Sequence, residues 1–155
     1  VNDVEFPFDQ RWGLKLWRAA FFYDPDTEPV EGRSDAWNRG RELVRGAAHC
    51  GACHTPRNLA GGRDIGASFA GNAQLPGGSK APAIRPKDLA KNDWTVSNLA
   101  YALQTGITPS GDAFGGSMAE VVREGTRFLT PADREAIALF LLNKDTVEAE
   151  NSASN

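Results

Sequence analysis

Cys50-Gly51-Ala52-Cys53-His54 is the segment that most narrows what this chain can fold into. It holds both cysteines of the 155 residues. The spacing is C-x-x-C-H, the attachment signature of a c-type haem. Two thiols three positions apart on a helical turn reach the two vinyl groups on one edge of a porphyrin and form thioethers. The adjacent histidine then projects over the ring and presents an imidazole nitrogen to the iron as proximal ligand. Three other readings of the pair compete. A redox dithiol follows a strand and opens a helix in a βαβ unit; here the upstream segment reads as helical, with no strand-like alternation. A structural zinc site needs four ligands, and the one further histidine, His49, is too close to serve as a distant partner. A disulfide across so short a loop adds little.

An iron held by one histidine needs a group on its other face. The chain has a single methionine, Met118, in Phe114-Gly115-Gly116-Ser117-Met118-Ala119-Glu120-Val121-Val122. A thioether is a soft, neutral ligand that favours the ferrous state and raises the reduction potential. The neighbouring glycines let backbone approach a flat ring. The competing reading is a methionine that fills a gap in the core. His49 is the runner-up ligand, but its place beside Cys50 keeps it on the proximal side.

Length and composition bound the rest. A 16.7 kDa chain with 41% apolar and 24% charged residues is a globular protein of about one domain. Its 17 basic and 20 acidic side chains leave a net charge of −3, which argues against nucleic acid as the main partner. No apolar stretch nears the ~18 residues that span a bilayer. The chain opens on Val1 with no visible signal peptide, so the removal of an upstream segment is expected.

The pattern along the chain predicts helices. Residues 1–33 read as an arm, with large apolar residues at 14, 17, 20 and 21 in helical period before Asp24-Pro25-Asp26 breaks it. So many aromatics need a surface to cover, on this domain or a neighbour. Ser34 caps a helix over about 35–48, with Trp37, Gly40, Leu43 and Val44 on one side. Residues 55–93 read as irregular chain rich in glycine and proline. Thr95 caps a helix over 96–105 that ends at Gly106. Another helix follows Met118 to about Arg127. Thr130-Pro131-Ala132-Asp133 opens the last, with an N-cap threonine, proline at the first helical position and an acid in the first turn. Gly40 lets another helix cross closely, and Phe140 is the candidate aromatic against it. The expected organisation is an arm over 1–33, a domain over 34–145 and a disordered tail over 146–155. With no second C-x-x-C-H, one haem is expected.

Four passages resemble the class I cytochrome c domain, and more narrowly the haem domains of multihaem cytochrome subunits serving bacterial alcohol, aldehyde and gluconate dehydrogenases. They are Phe6-Pro7-Phe8-Asp9-Gln10-Arg11-Trp12; Trp37 to Gly40 through His49 to Asn58; Gly116 to Val122; and Leu129 to Asp133 with Ala136-Ile137-Ala138. The resemblance covers about residues 1–143. It implies an all-α fold of about four to five helices around one covalently bound haem c, preceded by the helical arm. It also implies that the proximal histidine donates a hydrogen bond to a proline carbonyl, for which Pro82 is the expected residue.

The function expected from these readings is electron transfer. Cys50 and Cys53 anchor the haem, and His54 and Met118 ligate its iron; no catalytic acid or base is needed. The resemblance implies a redox partner protein, such as a dehydrogenase, another cytochrome or an oxidase, and a periplasmic or outward-facing location. Members of that group carry two or three haems, which leaves open whether this chain is one domain of a larger protein. The alternative is a haem-based sensor or peroxidase-like protein with a labile sixth position, which a methionine ligand opposes. Arg57, Lys80 and Arg85 are candidates to neutralise the haem propionates, against the plain reading of solvated surface charge.

Overall fold

The structure, a computed structural model, describes residues 10–75 and 78–146. Phe6 to Asp9 and the tail expected to be disordered, apart from Thr146, lie outside the described residues. The fold is all-α. Helix α1 spans Arg11–Phe21, α2 Asp35–Arg45, α3 Gly51–His54, α4 Pro86–Ala90, α5 Val96–Thr105, α6 Gly116–Glu124 and α7 Pro131–Leu142. Short 3-10 turns lie at Ile65–Ala67 and Thr126–Phe128. Among the described residues, β structure is confined to isolated bridges such as Arg57 with Arg63 and Asn72 with Ala81. No described helix is long and apolar enough to cross a membrane.

The caps act as the sequence predicts. Ser34 Oγ accepts from Trp37 N at 3.1 Å. Thr95 and Asn98 form a reciprocal capping box, and left-handed Gly106 closes α5. Thr130 Oγ1 accepts from Asp133 N at 3.1 Å. Helix α2 is shorter than its apolar pattern. Gly46 N turns back onto Glu42 O at 2.8 Å, then Ala48 N and Cys50 N bond Leu43 O and Val44 O. These bonds fold the chain over and deliver Cys50 to the edge of the core. Helix α4 was not expected; Pro86 starts it and it spans five residues, too few to show a period. Helix α6 starts at Gly116, so Met118 lies inside its first turn and not ahead of it.

The core forms where α2 and α5 pack on α7. Val44, Val96, Ile137 and Leu139 are fully buried, each worth about 1.5–3 kcal/mol of apolar transfer. Gly40 makes the α2–α7 crossing possible. A Cβ there would lie 2.9 Å from Phe140 Cβ and would collide with the Ala136 carbonyl. Phe140 does pack at this crossing, with its ring 5.0 Å from Trp37 and 6.5 Å from Phe69, but the Ala136 backbone is the nearer neighbour. At one end of the pair, Ser34 N and Arg33 Nε reach Asp145 Oδ1 at 3.0 and 3.1 Å.

Arg39 Nε bonds Asp133 Oδ1 at 2.8 Å and ties α2 to the first turn of α7. The Arg39 hydrogen bond holds the Asp133 carboxyl below its ordinary pKa, against a smaller opposing push from burial. A lowered carboxyl stabilises the fold above its unfolded pKa and loses that contribution as pH falls through its folded pKa. Asp133→Asn therefore costs ~0.5–1 kcal/mol at neutral pH, since Arg39 is largely exposed. The difference from the parent closes below about pH 4. Urea unfolding at pH 7 and pH 3 checks both limbs.

Helix α1 touches the rest of the chain at the turn that follows α3. Trp17 Nε1 donates to Ala60 O at 2.7 Å, and the Phe21 ring lies against Gly62, whose added Cβ would sit 2.8 Å from Phe21 Cγ. Helix α1 thus packs against residues 60–62. Trp12, Leu14 and Leu16 on α1 stay exposed.

Candidate functional site

Helix α3 is a single turn with Cys50 at its N-cap and His54 at its end. His54 N donates to Cys50 O at 3.0 Å, which fixes the pitch of the turn. His49 precedes it at φ +37°. The two sulfurs are free, Cys50 half-buried against the core and Cys53 exposed. Burial pushes the Cys50 thiol up to about 11, with a backbone hydrogen bond opposing. A redox dithiol requires a lowered thiol pKa, so this environment favours a thiol that stays protonated over the dithiol reading.

Pro82 O lies within hydrogen-bond reach of the His54 ring. His54 Nδ1 donates to Pro82 O at 2.7 Å. A carbonyl only accepts, so the imidazole carries its proton on Nδ1 and keeps the Nε2 lone pair free. Burial lowers the His54 pKa, partly offset by the Pro82 bond. Burial thus favours the neutral imidazole.

Met118 is half-buried and borders the core in the same set of side chains as Cys50, Phe69, Ile84 and Trp94. Gly116, at φ +55°, takes the left-handed turn that starts its helix. His49 is exposed, with Nδ1 2.9 Å from Ala47 O. Of the three basic candidates, Arg57 bonds Gly61 O and Ala52 O, and Arg85 pairs with Asp88 at 2.7 Å. Lys80 is exposed.

The donors suit a haem better than a bare ion. Among the described residues no three His, Cys, Asp or Glu side chains gather around one point, so a four-ligand zinc site has no donor set. Two free sulfurs on one helical turn, a neutral imidazole fixed by a carbonyl and a thioether bordering the same core match covalent haem attachment. Asn72, buried beside this histidine's loop, has an Nδ2 without an acceptor.

Motif reading did not reveal Thr55, Phe69 and Gly71. Thr55 is 2% exposed, Phe69 takes φ +61° and Gly71 φ +88°. Their only sequence signal is a threonine directly after the motif and a Phe-Ala-Gly run fourteen residues on.

An all-helical chain with a turn of two cysteines and a histidine backed by a proline carbonyl resembles a c-type cytochrome in layout. No family model matches the chain. It is 40% identical over 152 residues to a diheme cytochrome c-type protein of Cereibacter sphaeroides, covering 95% of this chain and 48% of that protein. It is 36% identical over 149 residues to the fructose dehydrogenase cytochrome subunit of Gluconobacter japonicus, covering 90% of this chain and 29% of that protein. It is 36% identical over 141 residues to a nicotinate dehydrogenase subunit of Pseudomonas putida, covering 91% of this chain and 12% of that protein. These relatives are cytochromes or dehydrogenase subunits by name, and the chain spans about half their length or less.

Proposed function

We propose that this chain is an electron-transfer domain carrying one c-type haem. Cys50 and Cys53 form the thioethers, and His54 and Met118 are the axial ligands. The observation that carries this reading is the Nδ1–H bond from His54 to Pro82, made from the turn that holds both cysteines. When bound, the haem supplies a one-electron ferric/ferrous couple. The chain's own residues do the rest. Pro82 holds the imidazole in the tautomer that ligates through Nε2. Core residues beside Cys50 and Met118 exclude water from one side of the site, which favours the less charged ferrous state. No catalytic acid or base is required, so the chain itself is not an enzyme.

The relatives named as cytochrome or dehydrogenase subunits support a dehydrogenase as redox partner. The same kinship supports a periplasmic or outward-facing location, where thioether attachment is carried out.

Denatured protein should weigh one haem more than its bare polypeptide. Cys50→Ser/Cys53→Ser should weigh no more than its polypeptide and lack colour. An uncoloured parent protein of bare mass would refute the reading. Carbon monoxide added to the reduced protein separates electron transfer from ligand sensing: an unchanged spectrum is expected, and rapid binding would favour a sensor.

A further inference from the structure

We propose that Thr55 is a positioning residue for the axial imidazole, acting through segment 69–72 to set the hydrogen bond between His54 and Pro82. This rests on the haem reading above. Thr55 ends α3 in extended backbone and is 2% exposed. A hydroxyl so buried needs a partner; its Oγ1 accepts from Phe69 N at 3.1 Å. Phe69 sits at φ +61°, a region costly for a bulky side chain, so its conformation has to be held from outside. Its carbonyl in turn accepts from Ile84 N at 3.0 Å.

Two residues on, Gly71 N donates to His54 O at 2.8 Å. Gly71 also lies directly beneath the Pro82 peptide. An added Cβ would come 2.9 Å from Ala83 N, 3.0 Å from Ala81 O and 3.1 Å from Pro82 C. Asn72 and Ala81 exchange two bonds of 2.8 Å and close the ladder. The acceptor for His54 is therefore reached by a route that starts at the neighbouring residue, Thr55, crosses to Phe69 and returns through 81–84. A ring nitrogen that donates to a carbonyl makes the other nitrogen a stronger donor to metal, which favours the ferric state. Slackening this route lengthens the His54–Pro82 bond and raises the reduction potential.

The test uses holoprotein with Thr55→Val, which keeps the branched shape but loses the acceptor, and Thr55→Ser, which keeps the hydroxyl. Haem attachment is read from denatured mass. The reduction potential and the solvent exchange of the His54 Nδ1 proton are then measured. The expected result is a haem-loaded Thr55→Val with a raised potential and faster exchange, and Thr55→Ser at parent values. Gly71→Ala, which presses on the Pro82 peptide directly, moves both readouts off the parent values and stands in if Thr55→Val does not fold. Haem-loaded Thr55→Val, or Gly71→Ala in its place, at the parent potential and exchange rate overturns this proposal alone. A parent protein with no attached haem overturns the reading beneath it and this proposal together.

Discussion

Met118→Ala lowers the reduction potential and opens the iron to added ligands while the haem stays attached. On the reading proposed above, attachment depends on Cys50 and Cys53, which the substitution leaves alone. The change acts on the sixth position. A thioether stabilises the ferrous state, and axial ligands move haem potentials over ~0.8 V; loss of the thioether should move this one by on the order of a few tenths of a volt. The variant loses little from the fold itself, because Met118 is half-buried at the start of α6 and packs against the core from its edge. Potentiometry and carbon monoxide binding check the two effects. If Met118 only fills a gap, the potential and ligand-sensitive bands stay at parent values and the cost appears in stability alone.

Gly40→Val destabilises the domain most. Alanine already brings a Cβ against the Ala136 carbonyl and within 2.9 Å of Phe140 Cβ. Backbone cannot swing aside as a flexible side chain would, so α2 and α7 must separate. Valine adds two branches to the same collision. Overpacking of a close-packed interior costs about 1–3 kcal/mol, and here the upper end or beyond is expected. Small domains have roughly 5–15 kcal/mol in all. The midpoint of thermal unfolding should fall by on the order of 10 °C, with Gly40→Ala between the two. A melting curve unchanged by valine would mean that the helices do not cross at this residue.

How much was legible in the sequence follows the range of each interaction. Helix α5 and the start of α7 were readable to within a residue or so, because Thr95 and Thr130 make their capping bonds within three positions. Cys50, Cys53 and His54 were readable because one turn of chain contains them all. Gly40 was readable as a crossing point, although the backbone of Ala136 and not only Phe140 is what it admits. The start of α6 was not, since a glycine pair reads as loop and only the left-handed φ of Gly116 turns it into a helix start. Pro82 came from family resemblance; nothing local marks a carbonyl that meets a ring 28 positions away. The hold of Thr55 on Phe69 spans 14 positions and leaves no periodic trace.

The clasp of Arg33 and Ser34 onto Asp145 brings the point where the chain enters the helical body beside the point where it leaves. A body whose two connections sit side by side can be spliced into a longer polypeptide like a bead on a doubled thread, without stretching either flank.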